Sequence, residues 1–283
     1  RQGGGRGEDH GSDHGPRSGP ASGQETRLHP TAMVDPAAEL GEGVEVGAGA
    51  IIGPGVKIGD GSRIGSYALI ERDTTLGRDC RISHGAVLGT DPQDLKYAGE
   101  PTELVVGDRT TVREYATLNR GTAASGRTLV GNDCLLMAYT HVAHDCELGD
   151  HVILSNSVNM AGHVTIGDWA IVGGVTPIHQ FVRIGEHSFV GGGSRIPQDV
   201  PPYCRAAGNP PKMYGLNSVG LERRGFSAEV RQALKRAYRA VFASGLNISQ
   251  GLEKATEEAG SAPAAEVERF LEFIRSSERG VTT

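Results

Sequence analysis

Aromatic residues are scarce in this chain, at 5% of 283 residues, and it has neither a long apolar run nor a basic cluster. Phe, Tyr and Trp supply much of the buried area of ordinary domains, so their scarcity argues against a thick compact core. No apolar stretch approaches the roughly 18 residues of a membrane-spanning helix, which excludes an integral membrane segment. There is also no hydrophobic leader, so nothing points to export. Net charge is −6, from 28 basic and 34 acidic residues, and nucleic acid is therefore not an expected partner. Four cysteines, Cys80, Cys134, Cys146 and Cys204, lack the paired spacing of metal ligands. The first three lie where Ala, Ser, Thr or Val otherwise stands, which predicts small buried thiols in a reducing, cytoplasmic compartment. No metal and no other cofactor is expected.

Aliphatic side chains are missing from the N-terminus as well. Between Arg1 and Thr26 the one exception is Ala21, so residues 1–27 are expected to form a disordered extension. The Asp-His-Gly runs at Asp9–Gly11 and Asp13–Gly15 have metal-binding side chains, but a solvated tail is the simpler reading. The chain opens on Arg rather than Met, which suggests an upstream extension or a processed end.

Glycine is abundant, at 42 residues, and it follows a pattern. From Val34 to Ile196 an aliphatic residue recurs every six positions, filling 25 of them, and in 14 cases Gly follows. Neither a helix nor an ordinary strand has that period; a parallel β-helix does. Each side of six residues carries one inward aliphatic and ends in a tight corner. Three sides make a coil of 18 residues, and coils stack about 4.8 Å apart. The array is expected over residues 28–200, followed by a linker and an α-helical C-terminal domain over 201–283. Within the latter, Gly208 to Ser218 reads as a loop. Ser227 is positioned to cap a helix reaching Ser244, and further helices are expected at 249–259 and 264–275.

Two excursions interrupt the array, at 90–104 and 120–128. Loops thrown out of a rigid scaffold commonly carry function. That is the favoured reading for the first, whereas the second, rich in Gly and Ser, reads better as a surface insertion.

Residues 18 apart stack on successive coils. His144 therefore lies below Gly162 and Gln180, Asp145 below His163, and Ala143 below Ala161 and His179. Together with His141, these residues converge on one edge, which is the candidate active site with His144 as its base. Adjacent strand residues point to opposite faces, so Asp145 can serve His144 only at a corner. The position of His144, two residues past the inward Val142, permits one. A second set of columns is made of small residues: Met137, Ser155, Gly173 and Gly191, beside Ala138, Asn156, Gly174 and Gly192. Three layers of such residues leave a channel of roughly 14 Å.

The six-residue repeat resembles that of the hexapeptide acyltransferases, which are left-handed β-helices that trimerise. The hand is what the resemblance implies; the general rule for parallel crossovers predicts the opposite. The segment Gln93–Thr102, the run His141–Cys146, Ala161-Gly162-His163, His179-Gln180-Phe181 and Arg223-Arg224-Gly225-Phe226 make the resemblance narrower. They are similar, in order, to the UDP-N-acetylglucosamine 3-O-acyltransferases, which make the first transfer in lipid A synthesis. The match spans residues 29 to about 240. It departs from the family's pattern at Val219, where an acid is common, and at Pro92.

That resemblance implies His144 as base, Asp145 as its partner and the Gly162 amide as oxyanion donor. It implies substrate contacts from Gln93, Asp94, Lys96, His141, His163, His179, Gln180, Asn217, Arg223 and Arg224, some of them across a subunit boundary. Met137, Gly174 and Gly192 would line the acyl groove, with Gly192 admitting a long chain of the 3-hydroxytetradecanoyl kind. The implied partners are 3-hydroxyacyl carrier protein, UDP-N-acetylglucosamine and two further copies of the chain. Three other readings remain open at this stage. These are a sugar N-acyltransferase on the same scaffold, a zinc enzyme of the carbonic anhydrase type that uses three of the histidines, and a non-catalytic trimeric scaffold. The Gln93–Thr102 loop, the helical tail and the glycine channel favour the O-acyltransferase.

Overall fold

The structure, a computed structural model, describes residues 25–283. Most of residues 1–27, with both Asp-His-Gly runs, thus lies outside the described residues. The array starts earlier than the aliphatic count suggested. The strand Arg27–Leu28 already pairs in register with Glu45–Val46, and Leu28 keeps the six-residue phase. Its side chain is exposed on the open first coil, so burial alone would not have marked it.

From there the chain folds as a triangular prism with three parallel sheets. The first face begins at Arg27–Leu28, the second at Met33–Val34 and the third at Glu39–Leu40. Most strands are only two residues long, an outward residue followed by the buried aliphatic, as in Ile51–Ile52 and Lys57–Ile58. The aliphatics form one continuous core from Val44 to Ala206. Past the first coil, the place four residues after an aliphatic is buried and mostly filled by a small residue, and Cys80, Cys134 and Cys146 occupy three of these places. All four cysteines are free and buried. Burial pushes the Cys80 and Cys134 thiols up to about 11 and that of Cys146 up to about 12.

Three residues past most of the aliphatics the backbone enters the left-handed region, with φ 65° at Gly49, 59° at Asp145 and 60° at His163. This conformation makes the corner, and Gly adopts it without the steric penalty borne by other residues. The first-to-second edge, which carries the small-residue columns, is called the glycine edge below. The second-to-third edge carries His144, and the third-to-first carries a stack of rings.

The six-residue array ends near Pro201-Pro202, but its first sheet continues. Strands Cys204–Gly208 and Pro211–Leu216 extend the first sheet as an antiparallel hairpin, so the stretch expected to be a loop is largely strand. Four helices follow: α1 (Ser218–Arg223), α2 (Ala228–Phe242), α3 (Ile248–Ala259) and α4 (Ala265–Arg275). The sequence marked the last three within a residue or two, and the Ser227 side chain does cap α2. It did not reveal the short α1. A second apolar cluster built on Leu234, Phe270 and Leu271 closes this domain over the end of the prism.

Candidate active site

The strand His141–Val142 brings the chain to the histidine edge, where the backbone turns through His144 and Asp145. That corner removes the strand alternation between neighbours. His144 Nδ1 meets Asp145 Oδ2 at 2.7 Å. The Asp145 side chain is fully buried, and burial pushes its carboxyl up, but donors from Ser125, His144 and Thr122 prevail and hold it at about 2. An ionised Asp145 can only accept, so His144 must donate from Nδ1, and in the neutral imidazole Nε2 is then the ring nitrogen without a proton.

Gly162 lies directly above. A Cβ added there would stand 2.5 Å from His144 Cε1 and 2.8 Å from Nε2, so the ring occupies the space that any side chain would need. The Gly162 N–H makes no hydrogen bond among the described residues. On the ring-bearing edge the equivalent amides are capped from the coil above: Glu42 N donates to Asp60 Oδ1 and Asp150 N to Asp168 Oδ1, both at 2.9 Å. Above Gly162 stands Gln180, which leaves the amide uncapped beside the imidazole.

The other residues expected in the column divide. His163 Nε2 is 3.6 Å from Asp145 Oδ2, and its ring is edge-on to His144 and stacked on Phe181. His141 points outward from the second face, with Nδ1 2.7 Å from Thr117 Oγ1. Its pKa is lowered by burial and then by nearby His144. His179 and Gln180 share the edge two coils up, and both are exposed. Both excursions leave from this edge, immediately beneath His144, because each follows a second-face strand. Gln93 and Lys96 are exposed on the first of them, and the Asp94 carboxylate accepts from Lys96 N at 2.9 Å.

The remaining candidates lie on the other two corners. Met137, Gly174 and Gly192 are on the glycine edge. There a Cβ at Gly173 would strike Gly192 N at 2.3 Å and one at Gly191 would meet Ala207 Cβ at 2.8 Å, so tight coils explain those two glycines. Gly192 is different: it is exposed, and the nearest atom to its Cβ is Gly174 O at 3.3 Å. Asn217, Arg223 and Arg224 belong to the ring-bearing edge. Arg224 lies over Trp169, 5.3 Å from the ring centre, and Arg223 is exposed. Asn217, expected at the substrate, is buried; it caps α1 and donates to His187 O at 2.9 Å.

Several residues at the site were not read from the sequence. Thr122, Ser125 and Thr128 surround Asp145, and Thr117 holds His141. Arg120, fully buried, joins the bases of both excursions through Gly89 O, Asp91 and Tyr97. A signal for them existed, since counting the aliphatics in threes puts both gaps on the edge of His144.

His144, Asp145 and His163 each offer a ligand atom within 4.8 Å of the others, a spacing a metal could use. The Asp145 oxygens are taken up by neighbouring donors, and His144 Nδ1 is turned toward them. This donor set suits an acid–base dyad rather than a zinc cage.

Residues 55–90 and 127–161 match a family profile described as a bacterial transferase hexapeptide (six repeats). Residues 199–282 match one described as UDP N-acetylglucosamine O-acyltransferase, domain 2. A protein of Halorhodospira halophila named acyl-[acyl-carrier-protein]–UDP-N-acetylglucosamine O-acyltransferase is 48% identical over 257 residues, 90% of this chain and 99% of its own. One of the same name from Burkholderia orbicola is 50% identical over 259 residues, with the same coverage. The chain belongs to this acyltransferase family. Solved members agree in fold. The enzyme of Bacteroides fragilis superimposes with a TM-score of 0.87 at 43% identity, and that of Acinetobacter baumannii with 0.86 at 41%; each covers 90% of this chain and 99% of the solved one. The prism is accordingly a left-handed β-helix with a small helical domain at its C-terminal end. The protein is an acyltransferase, and the comparisons do not favour the N-acyltransferase, zinc or scaffold readings.

Proposed function

We propose that this chain transfers a 3-hydroxyacyl group from the thioester of acyl carrier protein to the 3-hydroxyl of the N-acetylglucosamine unit of UDP-N-acetylglucosamine. That is the first step of lipid A synthesis. One observation carries the mechanism: a buried, ionised Asp145 fixes the His144 tautomer and leaves Nε2 free beside the uncapped Gly162 amide. His144 Nε2 takes the proton of the sugar hydroxyl as its oxygen attacks the thioester carbonyl. The Gly162 N–H donates to the resulting oxyanion. Collapse expels the carrier thiolate, which recovers the proton from His144. No covalent enzyme intermediate is needed.

Three corners of one prism cannot meet, so the site is completed between copies in a homotrimer. The histidine edge of one copy, with Gln93, Asp94, Lys96, His141, His163, His179 and Gln180, faces a neighbour that supplies Arg223 and Arg224 for phosphate. The neighbour's Met137, Gly174 and Gly192 supply the acyl groove, and its Asn217 positions the arginine-bearing turn. The surface supports this arrangement: Tyr67, Tyr115, Tyr139 and Val175 stand exposed along the glycine edge, and Leu95 is fully exposed on the first excursion. Among the described residues no helix is long and apolar enough to cross a membrane. The four reduced, buried cysteines suit the cytoplasm.

The test is mass spectrometry of UDP-N-acetylglucosamine incubated with 3-hydroxyacyl carrier proteins of graded length. Wild type is expected to yield the acylated sugar nucleotide, best with a long donor, and Gly192→Met to favour a shorter one. No acylated product from any donor would contradict the proposal.

A further inference from the structure

The excursion 120–128 looks from its composition like a surface insertion, yet it encloses the carboxylate behind the base. Asp145 Oδ1 accepts from the Thr122 amide at 2.9 Å and from the Ser125 hydroxyl, whose one proton is shared with Arg127 O at 2.8 Å. Oδ2 accepts from the Thr122 hydroxyl at 2.7 Å and from His144 Nδ1 at 2.7 Å. The Asp145 amide in turn donates to Thr128 Oγ1 at 2.9 Å. An ionised carboxylate has about four acceptor directions. The excursion fills three of them and leaves the fourth to His144.

The loop is held tightly enough to do this. Gly126 N donates to Thr122 O at 2.7 Å, and Gly121 N to Glu103 O at 3.2 Å. Ala124 N donates to Thr122 Oγ1 at 3.2 Å, which turns the hydroxyl proton toward Asp145. A Cβ on Gly121 would stand 2.3 Å from Arg127 N, so the two ends of the loop close on each other there. Backbone closure alone would need none of these side-chain hydroxyls aimed at a buried carboxylate.

We infer that this excursion is a carboxylate clamp in which Thr122 and Ser125 are positioning residues for the transfer, acting on His144 through Asp145. The inference rests on the reading of His144 as the base. Without the clamp a buried carboxylate either takes up a proton or swings away, and His144 loses its fixed tautomer and orientation.

The test is a double-mutant cycle on the full-length enzyme, using Thr122→Val, Asp145→Asn and both together, with Thr122→Ser, Ser125→Ala and His144→Ala alongside. Thr122→Val is expected to lower kcat roughly tenfold to a hundredfold, the effect of one charge-assisted hydrogen bond. KM for the sugar nucleotide and the thermal midpoint should stay close to wild type. Thr122→Ser, which keeps the hydroxyl, should restore most of the rate. In the Asp145→Asn background Thr122→Val should cost almost nothing more, because the group it acts through has gone. Wild-type turnover in Thr122→Val, or losses that simply multiply in the double variant, would overturn the clamp. Wild-type turnover in His144→Ala would instead remove the base reading, and the inference with it. If Thr122→Val fails to fold, Ser125→Ala, at an exposed loop position, carries the same cycle.

Discussion

The reactivity of the site depends on small differences between residues in equivalent corner positions. His144 and Gly162 both stand two residues past their aliphatic, but on the proposed mechanism one carries the base and the other must carry nothing. Gly162→Ala is therefore expected to push the imidazole from its place while leaving the coil intact. The loss in kcat should be roughly a hundredfold, as for other displacements of about 1 Å, with an almost unchanged thermal midpoint. A variant with wild-type kcat would show that the ring has room that the 2.5 Å approach denies. This contact was legible in the sequence, because 18-residue spacing stacks Gly162 on His144. The direction of Asp145 was only half legible. The repeat placed it at a corner, but the side chains that make its carboxylate an acceptor come from an excursion outside the repeat.

At the scale of elements, the excursions matter most. Consecutive sides are otherwise six residues apart, but Leu88 and Val106 are 18 apart and Leu118 and Val130 are 12 apart. Those insertions hide the stacking of nearby coils from simple arithmetic, which is why Thr122 and Ser125 were not placed beside Asp145. The inward aliphatics survive because each face needs one regardless of what its corner does. The hairpin of Cys204–Gly208 and Pro211–Leu216 escaped detection for a different reason. It pairs antiparallel at the end of the first sheet and obeys no six-residue rule. Buried Arg120 is the joint of both excursions. Arg120→Met removes the bonds to Gly89 O, Asp91 and Tyr97, and with them the anchor of the loop that carries Gln93, Asp94 and Lys96. The expected result is a KM for the sugar nucleotide raised at least severalfold, with a smaller change in kcat. An unchanged KM would mean that the loop holds itself, through bonds such as Tyr97 Oη to Glu100 O at 3.0 Å.

For the whole molecule, acid is the informative stress. The Asp145 carboxyl is held at about 2, below its ordinary 3.8, so its contribution is complete above the ordinary value and is lost as pH falls toward 2. The half-buried His141 and His187 act earlier. Burial lowers both, so below their ordinary 6.5 the unfolded chain takes up protons that the folded chain resists, and stability falls. The thermal midpoint should drop as pH is lowered from 7.5 to 5, and His141→Gln should flatten part of that slope. An unaltered slope would mean that His141 titrates alike in both states. The proposed completion of the site between copies makes a separate prediction. Co-expressed His144→Ala and Arg224→Ala chains, each inactive alone, should regain activity, because some interfaces pair an intact histidine edge with an intact arginine. Activity no greater than that of the two variants apart would place both residues in one chain's site.

On the proposed mechanism His144 Nε2 removes the proton of the sugar hydroxyl. Its most direct test is kcat/KM for acyl transfer to UDP-N-acetylglucosamine by wild type and His144→Ala, under identical carrier-protein concentrations. Loss of a general base predicts a fall of roughly a hundredfold to ten-thousandfold, with the fold and the thermal midpoint preserved. A His144→Ala enzyme that transfers the acyl chain at the wild-type rate would contradict the account.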